Sequence, residues 1–187
     1  MYPLVRTAKV AAAALAGRPM SLTGTSRINL RVWPGDLDLY LHMNNGRYLS
    51  LMDLGRLDFI IRVGMLPFMR RQGWRPQLAA ATTRFWRSLQ PFSRFSLNTR
   101  VVWWDEKWIY MHHEMVREGR VAAQGMVKLV IKSPQGTVAP PQAALALGVD
   151  PRPAPEPPPG LAAWIHWEQE IKNGGPAAAG EAGEAKP

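Results

Sequence analysis

An α+β fold, with an antiparallel sheet and one long helix, is predicted from three observations. Between Asn44 and Val63 the apolar residues recur at helical spacing. After Pro76, four stretches in a row carry strand character. The links between those stretches are three or four residues long, too short for the crossovers that parallel strands need. One short strand ahead of the helix completes the order.

Residues 1–21 read as an N-terminal arm or short amphipathic helix. Arg6 and Lys9 precede the run Val10–Ala16, a vague likeness to a signal peptide. That run is seven residues long and mostly Ala, at the bottom of the usual range of about 7–15. A cytoplasmic location is expected instead. Arg27–Trp33 then alternates apolar and polar strictly, as a strand with one buried face does. Pro34-Gly35 ends it, and a loop runs from Asp36 to Met43.

The helix from Asn44 to Val63 has Asn44 or Asn45 to cap it. Tyr48, Leu49, Met52, Phe59, Ile60 and Val63 form its apolar stripe. Gly55 lies at the stripe's edge, where a missing side chain lets a helix press close to a sheet. Asp58 and Arg62 are expected as an i,i+4 pair on the wet side, and Gly64 as the stop. Pro67–Pro76 reads as a loop rich in Gly, Pro and Arg. The strands Gln77–Leu89, Phe95–Trp104, Trp108–Arg117 and Val121–Lys132 follow as an antiparallel meander, five strands with the first.

The expected domain spans 22–135. Residues 136–172 form a Pro-rich strap, with eight of the 17 prolines between Ala139 and Gly160, and a short helix carrying Trp164, Ile165 and Trp167 as anchors. Residues 173–187 lack aromatics and read as a disordered tail.

Composition narrows the chemistry. The chain has no Cys, which removes disulfides, thiolate nucleophiles and Cys-ligated metals. No apolar stretch reaches the roughly 20 residues of a membrane-spanning helix. Of its four His, His112 and His113 are adjacent on a strand, point to opposite faces and cannot clasp one metal. No metal site is therefore expected. Neither a GxSxG elbow nor a GxxxxGK[ST] loop occurs. The net charge of +9 resolves into +12 on residues 1–132 and −3 on residues 133–187. A basic body fits anionic partners: nucleic acid, a phosphate-bearing small molecule or a membrane surface. Nucleic acid is set aside, because the loop carboxylates would repel a phosphate backbone and strand-borne Trp and Phe serve as core.

The informative segment is Asp36-Leu37-Asp38-Leu39-Tyr40-Leu41-His42-Met43-Asn44-Asn45-Gly46-Arg47-Tyr48. Two carboxylates, a His and two Asn feed into a helix N-terminus, whose free N–H groups and dipole favour a developing oxyanion. A carboxylate there can activate water or attack a carbonyl itself. Equally, Asp36, Asp38 and the Asn pair serve as turn and cap residues.

The strand, the DLDxxxHMNNxRY loop, the long helix and the meander together resemble the hotdog-fold acyl-CoA thioesterase-like family, within it the group of thioesterase superfamily member 6. Arg84–Leu89, Thr99–Val102 and Trp104–Trp108 belong to the likeness, which covers about residues 22–135. The loop is also similar to the DxNxHxNNxxY segment of acyl-carrier-protein thioesterases and to the DxDxxG segment of 4-hydroxybenzoyl-CoA thioesterases. The resemblance implies a hotdog fold: a five-stranded antiparallel sheet wrapped around one central helix, here with a C-terminal Pro-rich extension. Asp38 matches the catalytic carboxylate, His42 the catalytic His, and Asn44 and Asn45 the Asn pair at the helix start. Tyr40 stands where the carrier-protein enzymes have Asn, and Leu41 where the hydroxybenzoyl enzymes have Gly.

These likenesses imply an acyl-CoA or acyl-carrier-protein thioesterase. Asp38, His42, Asn44 and Asn45 would be catalytic, with Asp38 as general base or nucleophile and the N–H groups near Leu41–Met43 polarising the carbonyl. Tyr40, Leu41, Met43, Tyr48, Arg70 and Arg71 would bind substrate, the two arginines holding its phosphates. No cofactor is implied beyond the coenzyme A of the substrate. A homodimer or a dimer of dimers is implied, since in the family the acyl site lies between subunits. The alternative is a non-catalytic hotdog protein that binds an acyl chain, a lipid or a partner protein.

Overall fold

The computed structural model describes residues 3–150 and 156–174. They belong to two units, Met1–Pro153 and Ala154–Pro187. The first begins with α1 (Leu4–Ala16), β1 (Ser26–Arg31), α2 (Asn45–Arg62) and α3 (Leu66–Gln72). It continues with β2 (Arg75–Phe85), β3 (Arg94–Trp104), β4 (Ile109–Arg117), β5 (Arg120–Ser133), β6 (Gly136–Val138) and α4 (Pro140–Ala146). The second unit holds α5 (Pro159–Asn173). Trp167, expected as an anchor, is exposed on α5, where His166 and Glu170 pair at 3.3 Å. The tail expected from Asn173 falls, past Gly174, outside the described residues.

Every strand pairing is antiparallel, as expected, but the strand order is β1-β3-β4-β5-β2. The simple meander is therefore corrected: β2 pairs with β5, not with β3. The link between β2 and β3 is eight residues, 86–93, instead of the expected four, and does not require the two strands to be neighbours. Here the sheet curls round α2, so the end of β2 and the start of β3 both lie at that helix's N-terminus. The link between them is tied there by hydrogen bonds from Met43 N–H to Leu89 C=O (3.3 Å) and from Val32 N–H to Ser93 C=O (3.0 Å). β6, pairing with β5 along Ile131–Ser133, adds a sixth strand that the periodicity did not reveal.

Helix α2 is the hub. Asn44 caps it by accepting from Gly46 N–H at 2.9 Å, and it ends at Arg62, two residues before Gly64 at φ +80°. Its buried face is Tyr48, Leu51, Met52, Leu54, Gly55, Asp58 and Phe59. Of these, Tyr48, Leu51, Met52 and Leu54 pack with Val32, Phe95, Leu97, Met115, Ala122 and Ala123, and Phe59 packs with Met111, Val127 and Leu129. Gly55 is required: a Cβ there would lie inside contact distance of Thr99 Oγ1 and 3.1 Å from Leu97 Cδ2.

Two local expectations are corrected. Asp58 does not face solvent; it is buried and accepts from Ser26 Oγ at 2.6 Å, with Arg62 at 3.6 Å. The expected loop 67–76 contains α3, which Pro67 starts and Gly73, at φ +65°, closes. Helix α3, β6 and α4 build a second cluster around Met65, Trp74, Ile131, Val138 and Ala143. No described helix is long and apolar enough to cross a membrane.

Candidate functional site

The loop before α2 is held by its own backbone. Asp38 N–H donates to His42 C=O (2.9 Å), Leu41 N–H donates to Asp38 C=O (3.1 Å), and Leu37 bridges Met43. Leu41 takes φ +59°, a left-handed conformation that costs a side-chain-bearing residue of order 1–3 kcal/mol. This is the position where the resemblance led to Gly.

Asp38 sits at the base of this turn. Its Oδ1 accepts from Tyr40 N–H (2.9 Å) and His42 N–H (3.3 Å), which orients the carboxylate. Its Oδ2 carries no hydrogen bond among the described residues. Beside it, Tyr48 is buried, with the Phe85 ring edge-on at 4.8 Å and Leu89 N–H donating to its hydroxyl at 3.4 Å. Burial pushes the Tyr48 phenol above its ordinary 10.0; the Leu89 bond offsets part of this and the charge of Asp38 adds to it. Asp38 and Tyr48 thus share one electrostatic site.

Asp36 has a different task. Buried at 3% exposure, it takes Arg6 in a two-pronged pair (2.6 and 3.1 Å), accepts Trp33 N–H (2.9 Å) and has Arg47 at 3.6 Å. It pins α1 to the loop, and the turn-and-cap reading holds for this carboxylate.

The amides expected to polarise a carbonyl are already engaged. Leu41, His42 and Met43 N–H donate to Asp38 C=O, Asp38 Oδ1 and Leu89 C=O. Gly46 and Arg47 N–H go to the side chain and carbonyl of Asn44. At the start of α2, Asn45 N–H has no hydrogen-bond partner among the described residues. Among the described residues, the free amide at the start of α2 is therefore that of Asn45, not one of 41–43.

Of the expected substrate residues, Met43 is buried beneath the loop, while Tyr40 and Leu41 are 81% and 66% exposed at its tip. His42 is exposed beside them. Arg70 and Arg71 do not join this group within one chain. They lie on α3, beyond the far end of an 18-residue helix about 27 Å long. Arg71 stacks over Phe68 there, at 5.0 Å. Arg84 and Arg87 are exposed and bracket Phe85-Trp86, where Phe85 meets Tyr48; Arg84 lies over Trp86 at 4.1 Å. Their signal in the sequence is the Arg84–Leu89 patch. The Arg6–Asp36 clamp had none, because thirty residues separate its partners.

No group of three or more His, Asp and Glu that could hold a metal occurs among the described residues. His113 is buried, with Thr99 Oγ1 at 2.9 Å from Nδ1 and Arg56 Nη1 at 3.3 Å from Nε2.

This architecture recurs in solved hotdog thioesterases. The probable thioesterase YbaW of Escherichia coli superposes with a TM-score of 0.58 at 19% identity, covering 61% of this chain and 89% of its own. A DHNA-CoA thioesterase from Staphylococcus aureus does so at 0.58 and 16% identity, covering 81% and 95%. Among curated relatives, Protein THEM6 of Drosophila melanogaster is 31% identical over 128 residues, 67% of this chain and 64% of that protein. Protein THEM6 of Xenopus laevis is 38% identical over 85 residues, 46% of this chain and 41% of that protein. A probable thioesterase of Saccharomyces cerevisiae is 28% identical over 111 residues, 57% and 48%. The chain therefore spans about half the length of these curated relatives. The thioesterase-like superfamily profile matches residues 32–165, from the loop before α2 through the sheet and into α5. With that match over most of its length, the chain belongs to the thioesterase-like superfamily.

Proposed function

We propose that this protein hydrolyses an acyl thioester, with Asp38 as the catalytic carboxylate. The observation that carries this reading is the Asp38 carboxylate itself. One oxygen is oriented by two backbone amides, the other is free to accept a proton from water, and both lie beside the N-terminus of α2. In this reading Oδ2 activates the attacking water, or attacks as nucleophile, and Asn45 N–H donates to the carbonyl oxygen as it gains negative charge. The exposed His42 faces the leaving sulfur. Asn44 and Asn45 act differently: the side chain of Asn44 shapes the helix start, and the backbone N–H of Asn45 stands at the oxyanion.

The substrate is read as an acyl-CoA, since exposed Arg84 and Arg87 beside Phe85 suit a phosphate-bearing handle. An acyl carrier protein, with an acidic surface, is the second candidate. The working form is read as a homodimer: β2 leaves one edge unpaired and is exposed along nearly its whole length, and the apolar loop tip Leu39–Leu41 stands in solvent. Binding an acyl group without turnover is the alternative that the same test addresses.

Purified protein is assayed on acyl-CoAs of graded chain length, with the released thiol read by a colour reagent; the absence of Cys keeps the background clean. Asp38→Asn is expected to lower kcat by about 10²–10⁴-fold. Undiminished turnover in a folded variant overturns the assignment of Asp38, and absence of turnover in the wild type overturns the activity.

A further inference from the structure

We propose that α1 seats this protein on an anionic membrane surface, lying flat with its outward face in the headgroup layer. The helix is held firmly on its inner side: Val10 and Ala14 are buried, Val10 within the main core, and Arg6 grips Asp36. Its outward face is therefore fixed in place. At 100° per residue, Leu4, Ala8, Ala12, Leu15 and Val5 fall within one arc of about 100°. All five are exposed, Leu4, Val5 and Leu15 at 69%, 70% and 69%. No charged side chain lies inside that arc; Lys9 borders it.

The charge around this face is predominantly positive, and the two carboxylates that line the adjacent groove, Asp36 and Asp58, are buried and paired with Arg6 and Arg62. Residues 1–35 contain five Lys and Arg and no acid, and the first carboxylate, Asp36, is already neutralised by Arg6. A groove of about 1340 Å³ runs alongside α1 against β1, and Lys9, Arg18, Arg27 and Arg31 line it. Lys9, Arg18 and Arg27 are exposed and make no ion pair among the described residues. An apolar stripe bordered by unpaired cations is the pattern by which a helix lies in an anionic interface. At 13 residues, about 20 Å, α1 is too short to span a hydrocarbon core of about 30 Å. The arc offers no Trp, Tyr or Arg of the kind that anchors protein interfaces, which favours a lipid surface over a protein partner.

The test is co-sedimentation of the full chain with vesicles, either of phosphatidylcholine alone or with phosphatidylglycerol added. Binding is expected on the anionic vesicles, weaker by about a hundredfold on the neutral ones and released by high salt. Leu4→Glu with Leu15→Glu is expected to weaken binding at least about tenfold. Lys9→Glu, Arg18→Glu and Arg27→Glu together are expected to abolish it. Because all five positions are exposed, an unchanged melting temperature confirms that these variants fold. Arg70→Glu with Arg71→Glu, a similar charge change on α3, serves as the control and is expected to retain most binding. The proposal fails if anionic vesicles are not bound, or if the control weakens binding as much as the triple variant. It fails also if Leu4→Glu with Leu15→Glu lowers the molecular mass in solution, which would mark the face as a contact between protein chains.

Discussion

Asp38, the proposed catalytic carboxylate, is oriented by backbone and not by other charged groups. Two amides of a turn closed by Leu41 in a left-handed conformation fix one oxygen and leave the other free. The spacing of the loop made this residue legible as a candidate, but it ranked Asp36 beside it. What separates the two is Arg6, which neutralises Asp36 from thirty residues away. The proposed oxyanion donor is equally local and can be tested by a single substitution. Asn45 is the first residue of α2, where Pro is well tolerated, and Asn44 has the extended conformation (φ −58°, ψ 136°) that precedes Pro readily. Asn45→Pro is therefore expected to lower kcat about 10²–10³-fold while leaving the unfolding midpoint nearly unchanged. Asn45→Ala, which keeps the N–H, is expected to retain most activity. Steady-state kinetics on both variants decides between the backbone and the side chain.

Helix α2 was the most legible element, because its apolar series runs unbroken for five turns and a capping Asn begins it. Its closeness to the sheet depends on Gly55, over which Thr99 and Leu97 lie. Ala has the higher helix propensity, so in an isolated helix Gly55→Ala would be stabilising by about 1 kcal/mol. In this fold the added methyl meets a β-branched side chain tied to His113, and a net loss of about 1–3 kcal/mol is expected in urea unfolding. Helix α3 and β6 were missed because each is short, and tertiary cover from Trp74, Val138 and Ala143 stabilises them more than periodicity does. Helical spacing alone turns Asp58 to solvent for a related reason: its buried partner Ser26 belongs to another element.

At the scale of the molecule, the buried His113 ties stability to pH. Burial holds its imidazole well below the ordinary 6.5, and the cations of Arg56 and His112 push it the same way. The unfolded chain therefore binds a proton that the folded one resists. The contribution of neutral His113 is complete above pH 6.5 and is lost as the pH falls below it. Urea midpoints measured from about pH 7.5 down to pH 5 are expected to fall, and His113→Gln is expected to flatten that decline. The free edge of β2 bears on assembly. Ala79→Lys with Ala81→Lys places two charges on exposed positions of that edge, and sedimentation velocity is expected to show the proposed dimer shifting to monomer.

Composition and spacing by themselves determined that any acyl transfer here runs without a cysteine nucleophile, that the sheet is antiparallel, and that a carboxylate-bearing loop opens the long helix. Those are properties of neighbours in the chain, where hydrogen-bonding geometry and side-chain periodicity act over a few residues. Only the tertiary structure decided the strand order, the different partners of Asp36 and Asp38, and the separation of Arg70 and Arg71 from the loop within one chain. It also decided which amide stays free for an oxyanion. Each of these depends on how a sheet curls around a helix, and that curl brings together backbone and charges that lie tens of residues apart.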